Sequence, residues 1–419
     1  MIRQWSVLVR FPDFRRLLIG NSVSLMGSSV TTVALPLTAV LYLHASPVQM
    51  GFLGAVAFVP PLLLGLPAGV WVDRWPYRRV LVLSDLLQML VLGAVPILAS
   101  LDALRLWQLY VVVTLAALGS LFVTVAGQSF TPVLVPREEL LGATSALAMS
   151  DSTVNTTGAA LGGALVSVLT APVAIAADAV SFLLSALCKA RIRTPGIGRE
   201  KPAQRSSLRR EILEGLRAVV DHPVIRTVTI AATLGALAGQ IQSVVLVLFF
   251  VRVLHLPAAL IGATIAVSGA AAIIGALLVV PVTERFGHGP TFIAGMFLTS
   301  VSGLVTAAAG GPLAAVLVVL LLAQILRGTG PSFFGVNQRT LRLTYIPPEL
   351  ISRTQATWRF LVYGGQPIGA LLGGLFAATA GLRATLVISS AGQLVATAIA
   401  YFSPLRGLRD ITTPRLRTA

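Results

Sequence analysis

Four ionisable residues stand inside long apolar runs, where charge is costly and marks function by default. Asp151 lies midway along the run 139–169 and so near a bilayer midplane, and Asp178 lies close to the start of the run 173–190. Arg327 lies midway along 312–338, and Arg359 lies in the first third of 349–380. Pairing either acid with either arginine lowers the cost of burial, because a nearby opposite charge favours the ionised form. A pair that protonation can break is a means of proton coupling; a permanent structural pair is the alternative. The first apolar run carries Asn21 but no acid.

A second constellation is the stretch Gly65–Arg79, GLPAGVWVDRWPYRR. It packs Asp73, Arg74, Arg78 and Arg79 between an apolar run that ends at Val72 and another that begins at Val80, with Gly69 one turn before the acid. A carboxylate so placed suits the N-terminus of another helix, worth about 0.3–1 kcal/mol. Arg78 and Arg79 have Asp85, Glu138 and Glu139 as candidate partners. Phe122, Gln128, Asn155, Gln240, Gln242, Phe333, Asn337, Trp358 and Tyr363 are candidates to line a cavity. Apolar walls with a few polar groups suit an amphipathic organic molecule; ordinary interhelical packing is the other reading.

The elements that must position these groups follow from composition. The 419 residues are 56% hydrophobic and only 11% charged, with mean hydropathy +0.87. Soluble domains carry about a quarter charged residues, so the chain reads as an all-α polytopic membrane protein. Twelve spans are expected, at 17–43, 48–72, 80–100, 106–131, 139–169 and 173–190, then 224–251, 258–283, 290–310, 312–338, 349–380 and 383–403. Segments on the side of the termini hold 26 of the 31 bases and the opposite side holds Arg105, Arg252 and Arg383. By the positive-inside rule both termini are cytoplasmic. The net charge of +16 therefore reflects topology rather than nucleic-acid binding. The early bases and following span lack a signal peptide's short apolar core and cleavage site.

No metal or cofactor is expected, since Cys188 is the sole cysteine and the four histidines are scattered. There is no His-x-x-x-His, no paired carboxylates on one span and no Ser-His set, so an intramembrane enzyme is not expected. No Gly-rich nucleotide loop ending in Lys-Ser/Thr occurs either, which leaves an ion gradient to supply energy.

The organisation reads as a bundle at 1–190, a linker at 191–222, a second bundle at 223–405 and a tail at 406–419. The linker holds an amphipathic helix in SLRREILEGLRAVVDHP, suited to the anionic inner leaflet. An offset of 211 residues maps one bundle onto the other. Pro12 finds Pro223, His44 finds His255, and Asp73-Arg74 finds Glu284-Arg285. Gly119 finds Gly330, and Gly158, Gly162 and Gly163 find Gly369, Gly373 and Gly374.

The pattern Gly-x-x-x-Asp-Arg-x-x-x-Arg-Arg resembles the loop between helices 2 and 3 of the major facilitator superfamily, with Pro76 where that family usually has glycine. Two parallel six-helix repeats resemble its fold as well. The segments FTPVLVPREELLGATSAL and ADAVSFLLSAL are similar to exporters of the enterobactin-exporter and macrolide-efflux type. The resemblance implies twelve transmembrane helices in two pseudo-symmetric halves, alternating access, and a latch in which Asp73 meets the start of helix 11 near Pro347-Pro348-Glu349. The second copy keeps Glu284 and Arg285 but has Gly289 and Pro290 for the arginines, so an asymmetric latch is expected. In that fold helices 2 and 11 meet, as do 5 and 8, which makes seams of Gly65 and Gly69 with Gly365, Gly369 and Gly373, and of Gly158 and Gly162 with Ala271 and Gly275. GAALGG at 158–163 resembles an antiporter motif, with Ala159 replacing its proline.

The expected function is export of a small amphipathic organic compound (a drug, siderophore or secondary metabolite) by proton antiport through the inner membrane. The alternatives are an ion-coupled symporter importing an anionic metabolite, or a lipid flippase of the same fold. The expected partners are that small molecule, protons and the bilayer, with the chain a monomer.

Overall fold

The computed structural model describes residues 10–194, 216–217, 219–346 and 350–409. The linker helix expected between 208 and 219 and the tail beyond 409 fall almost wholly outside the described residues. In the first bundle α1 is Pro12–Leu37, α2 is Pro47–Val56 continued by Val59–Arg74, α3 is Tyr77–Ser100, α4 is Leu106–Leu134, α5 is Leu140–Val168 and α6 is Ala171–Ala190. In the second, α7 is Pro223–Arg252, α8 is Ala258–Phe286, α9 is His288–Ala308, α10 is Leu313–Tyr345, α11 is Ile351–Thr379 and α12 is Leu382–Tyr401. Prolines in the first turn open α1, α6 and α7, where a missing N–H costs nothing.

All but α5 are long and apolar enough to cross a membrane. α5 has 29 residues, ample for a bilayer at 1.5 Å per residue. It departs from the rest through the polar run Ser150, Asp151, Ser152, Thr153, Asn155, Thr156 and Thr157. α10 runs two turns beyond the expected end at 338, which places Arg339 and Arg342 on a helix rather than in a loop. No glycine or proline interrupts the chain between Gly335 and Pro347.

The chain forms two compact units, one of residues 1–45, 56–202 and 256–266, the other of 46–55, 203–255 and 267–419. Close helix approach at small residues organises each. In the first unit a methyl group at Gly162 would lie 3.0 Å from Val30 Cα, so α5 rides directly on α1. In the second a methyl at Gly373 would lie 3.0 Å from Ile241 Cα, so α11 rides on α7 in the same way. The two contacts are equivalent under the offset of 211. So are those of Gly119 with Gln88 and Gly330 with Thr299. His44 and His255 share a left-handed backbone, at φ 52° and 51°.

Within each unit the glycines have the following partners. Gly65 and Gly69 have nothing within 4 Å of an added Cβ. The early turn of α2 belongs to the second unit, and there Gly51 and Gly54 approach Ala370 and Gly374 of α11. Gly158 and Gly162 serve α1, while Gly275 meets Thr329 and Ser332 of α10. Spacing identified surfaces that must pack closely but not the partner, since any helix backbone satisfies a glycine stripe.

The repeats differ in where they bury polar groups. Asp85 on α3 and Lys189 on α6, both 0% exposed, form an ion pair at 2.9 Å, and Ser185 donates to Asp85 at 2.7 Å. The equivalent residues Met296, Ala396 and Ala400 lie in one apolar cluster of the second unit. Conversely, Asn337 of α10 donates to Thr283 at 3.1 Å and meets His288 Nδ1 at 2.8 Å. Its counterparts Ala126, Val72 and Tyr77 lie in an apolar cluster of the first unit.

Removing one member of a buried pair strands a charge at a cost of about 3–5 kcal/mol, whereas well-packed apolar replacements are near neutral. Lys189→Ala is therefore expected to lower the thermal midpoint of purified protein sharply. The triple variant Asp85→Met/Ser185→Ala/Lys189→Ala copies the second repeat and is expected to return to near the wild-type midpoint. A triple variant as weak as Lys189→Ala would show that the pair itself holds the bundle.

Candidate transport site

The loop after α2 carries the first group of candidates. Asp73 is exposed and accepts a hydrogen bond from the Tyr77 hydroxyl at 3.4 Å. Arg74 and Arg79 are exposed, and Trp75 stacks on Phe122 with centroids 6.3 Å apart. Arg78 pairs with none of the acids expected for it; its Nη1 donates to the Ile192 carbonyl at 2.9 Å. Asp85 is taken by Lys189, and Glu139 meets Arg10 at 3.5 Å. Asp13 reinforces the grip on the chain leaving α6 by accepting the Arg193 and Thr194 N–H groups at 3.1 and 2.9 Å. The segment Pro347–Glu349, proposed to meet Asp73, lies outside the described residues.

The second copy of the loop is built differently. Glu284 and Arg285 are exposed on the last turn of α8. Gly289, the counterpart of Arg78, lies against the Leu405 carbonyl with no room for a side chain, and its N–H donates to Leu408 O at 3.0 Å. The first unit thus holds the strand after its sixth helix with a guanidinium, the second by direct backbone contact. Pro76, at φ −61°, corresponds to Gly287 at φ +95°, so the two turns differ because proline cannot adopt a positive φ.

Asp178 is 1% exposed on α6. Thr31 donates to its Oδ2 at 2.5 Å and Ser181 to its Oδ1 at 3.1 Å. Among the described residues no basic side chain stands within salt-bridge distance of it. Gly27 of α1 faces the carboxylate, and a Cβ there would collide with Asp178 Oδ1 and Ser181 Oγ. Gly27 and Ser181 also line an open apolar groove between α1, α5 and α6, with Ser22, Met26, Val154, Leu165 and the exposed Val180 and Leu184. A buried carboxylate held only by hydroxyls can exist with or without a proton, because Thr and Ser can donate or accept. The second repeat has Ser389 in its place.

The other membrane charges are placed less tightly. Asp151 is exposed on α5, beside Ser150, whose hydroxyl meets Ser22 of α1 at 2.5 Å. Arg327 is half-buried with Nη1 lacking a partner, and Arg359 is exposed. Neither arginine is in an ion pair among the described residues.

Of the cavity candidates, Asn337 belongs to the Thr283–His288 cluster, and Gln240 lies on the packing seam with Gly369. Gln242 accepts from Gln393 at 3.0 Å. Gln128 and Tyr363 are exposed, Phe333 is half-buried, and the side chain of Asn155 is outside what is described. Trp358 lies beneath the Arg342 guanidinium, whose Cζ is 3.8 Å from the ring centroid. Thr31, Ser181, Lys189, His288 and Arg342 escaped sequence reasoning. Ser181, Lys189 and Arg342 align with the smaller Gly392, Ala400 and Thr131 of the other repeat, which was their signal; Thr31 aligns with Gln242 and His288 with Tyr77, and neither carried one.

The family model of the Major Facilitator Superfamily matches residues 17–241 and again 228–416. The chain is 28% identical to the multidrug efflux pump Tap of Mycolicibacterium fortuitum, across 90% of this chain and 92% of that one. It is 23% identical to macrolide efflux protein A of Streptococcus pyogenes, across 88% and 90%. A crystal structure of a bacterial homologue of the iron transporter ferroportin, inward-facing, superposes with TM-score 0.74 at 20% identity, covering 93% of this chain and 98% of that one. With twelve helices in two repeats among the described residues and both repeats matched, the chain belongs to the Major Facilitator Superfamily of membrane transporters.

Proposed function

We propose that the chain exports a small amphipathic organic compound from the cytoplasm in exchange for protons, by alternating access in the inner membrane. Support for export comes from the similarity to the two efflux proteins over nearly the whole chain. The observation that carries the coupling is Asp178, a buried carboxylate held by two hydroxyls, with no cation among its described neighbours. Asp85 in the same unit is locked to Lys189 and is unsuited to the task. Gly27 and Ser181, which flank the carboxylate, also line the open groove between α1, α5 and α6.

Asp178→Asn, and Asp178→Ser as a copy of the second repeat, are expected to reduce uphill accumulation of a fluorescent drug in inverted vesicles about tenfold or more, with downhill exchange nearly unchanged. A variant that still concentrates the drug removes Asp178 as the coupling residue and leaves Asp151 as the next candidate.

The exposed Asp73 is expected to act on the gate rather than on folding. Asp73→Asn should slow transport several-fold at an unchanged thermal midpoint, and Glu284→Gln should have the smaller effect. The reverse order would overturn the asymmetric latch.

Reporters placed after Ala419 and near Arg205 should be cytoplasmic, and one near Asp102 should be external, as the arginine asymmetry requires. An external reporter after Ala419 would invalidate the span count.

A further inference from the structure

The end of α10 and the start of α11 hold basic groups that nothing in the chain's described residues neutralises. Arg342 is 5% exposed, and its Nε and Nη1 are buried without an acceptor. Its guanidinium is stacked on Trp358, which fixes the plane but leaves the N–H edges unsatisfied. The indole Nε1 of Trp358 and the hydroxyl of Thr354 are buried and unpartnered as well. Gln338 and Arg342 are four apart on α10, and Thr354 and Trp358 are four apart on α11, so the stack brings two helix faces together. The charges of Arg339 and Arg359 repel that of Arg342 from close by. No acid among the described residues pairs with any of the three arginines.

The first repeat shows that the fold does not need this arrangement. Under the offset of 211, Arg342 corresponds to Thr131, whose hydroxyl is satisfied by Gly127 O at 2.8 Å. Thr354 and Trp358 correspond to Ala143 and Leu147, which belong to an apolar cluster. The same helix ends pack without charge in one unit and with three arginines in the other. Uncompensated buried cations destabilise a structure unless an anion completes them, and several unpartnered donors on two facing helices are a receptor for one.

We propose that Arg342, Trp358 and Thr354, with Arg339 and Arg359 around them, form a binding site for an oxyanion, the phosphate or carboxylate of an organic molecule. In the topology proposed above the site opens to the cytoplasmic side. The Gln338 amide, whose oxygen is likewise buried without a partner, presents its nitrogen to the same anion when turned over. The ligand is a soluble organic anion or the headgroup of an anionic lipid, and the two are separable by experiment.

The test uses the full chain in nanodiscs of zwitterionic phosphatidylcholine. Glycerol 3-phosphate and citrate are titrated as soluble probes, and in a parallel arm phosphatidylglycerol is mixed into the discs. Tryptophan fluorescence and the thermal midpoint are read together. At least one probe is expected to raise the midpoint and shift the emission in a saturable way. Arg342→Thr and Trp358→Leu, which copy the first repeat and should fold for that reason, are expected to weaken the response tenfold or more. A response to the soluble probes identifies a free anion, and a response to phosphatidylglycerol alone identifies a lipid. The proposal is overturned if no probe moves the wild type, or if Arg342→Thr responds as the wild type does. It is also overturned if Glu349→Gln creates a response that the wild type lacks, since the chain's own carboxylate would then be the anion.

Discussion

Close approach of helix backbones is the constraint on which this protein depends. Lipid gives apolar side chains no reason to prefer one another over the solvent around them, so helices associate through van der Waals contact and interhelical hydrogen bonds. Contact is greatest where a glycine lets one backbone touch another, as Gly162 does at Val30 and Gly373 does at Ile241. The two contacts are the same contact, made once in each repeat. Around them the remaining helices find their places, and every polar group carried inward must be satisfied by a neighbour fixed by that packing.

The two repeats act as controls for one another. A buried charge present in both would be explained by the fold, but each described here is present in one; at the Asp178 position the second repeat is polar, with Gln242 bonded to Gln393, but uncharged. Asp85, Ser185 and Lys189 face an apolar counterpart, as do Thr283, His288 and Asn337. Asp178 faces Ser389, and Arg342 faces Thr131. The ion pair and the asparagine cluster are internally satisfied, which is what a structural role requires. Asp178 and Arg342 are different in kind: the acid has no base and the base has no acid among the described residues. Both uncompensated charges stand on a scaffold that can be built without them, as the other repeat shows.

Much of the fold was legible in the sequence, because hydrophobic length, arginine asymmetry and the offset of 211 residues are one-dimensional signals. Even α5 was among the expected spans, although its polar run sets it apart from the other helices. Partners were not legible. Gly51 and Gly54 pack on α11 without having been singled out, since a stripe of small residues does not encode the helix it meets. Arg78 was given carboxylate partners and takes a carbonyl, because the chain leaving α6 comes closer than any acid. Lys189 was counted as a topological base at a helix end, yet one turn of helix and the reach of its side chain carry its ammonium to Asp85.

The central claim is that Asp178 changes its protonation state while it is enclosed by hydroxyls. Infrared difference spectroscopy of the purified protein in lipid reads this without knowledge of the cargo. Spectra of the wild type across the pH range in which it stays folded, compared with those of Asp178→Asn, isolate the carboxyl stretch of this one group. The account predicts a protonated-carboxyl band that comes and goes with pH in the wild type and is missing in the variant. Identical difference spectra for the two proteins would mean that Asp178 does not titrate, and would contradict the account.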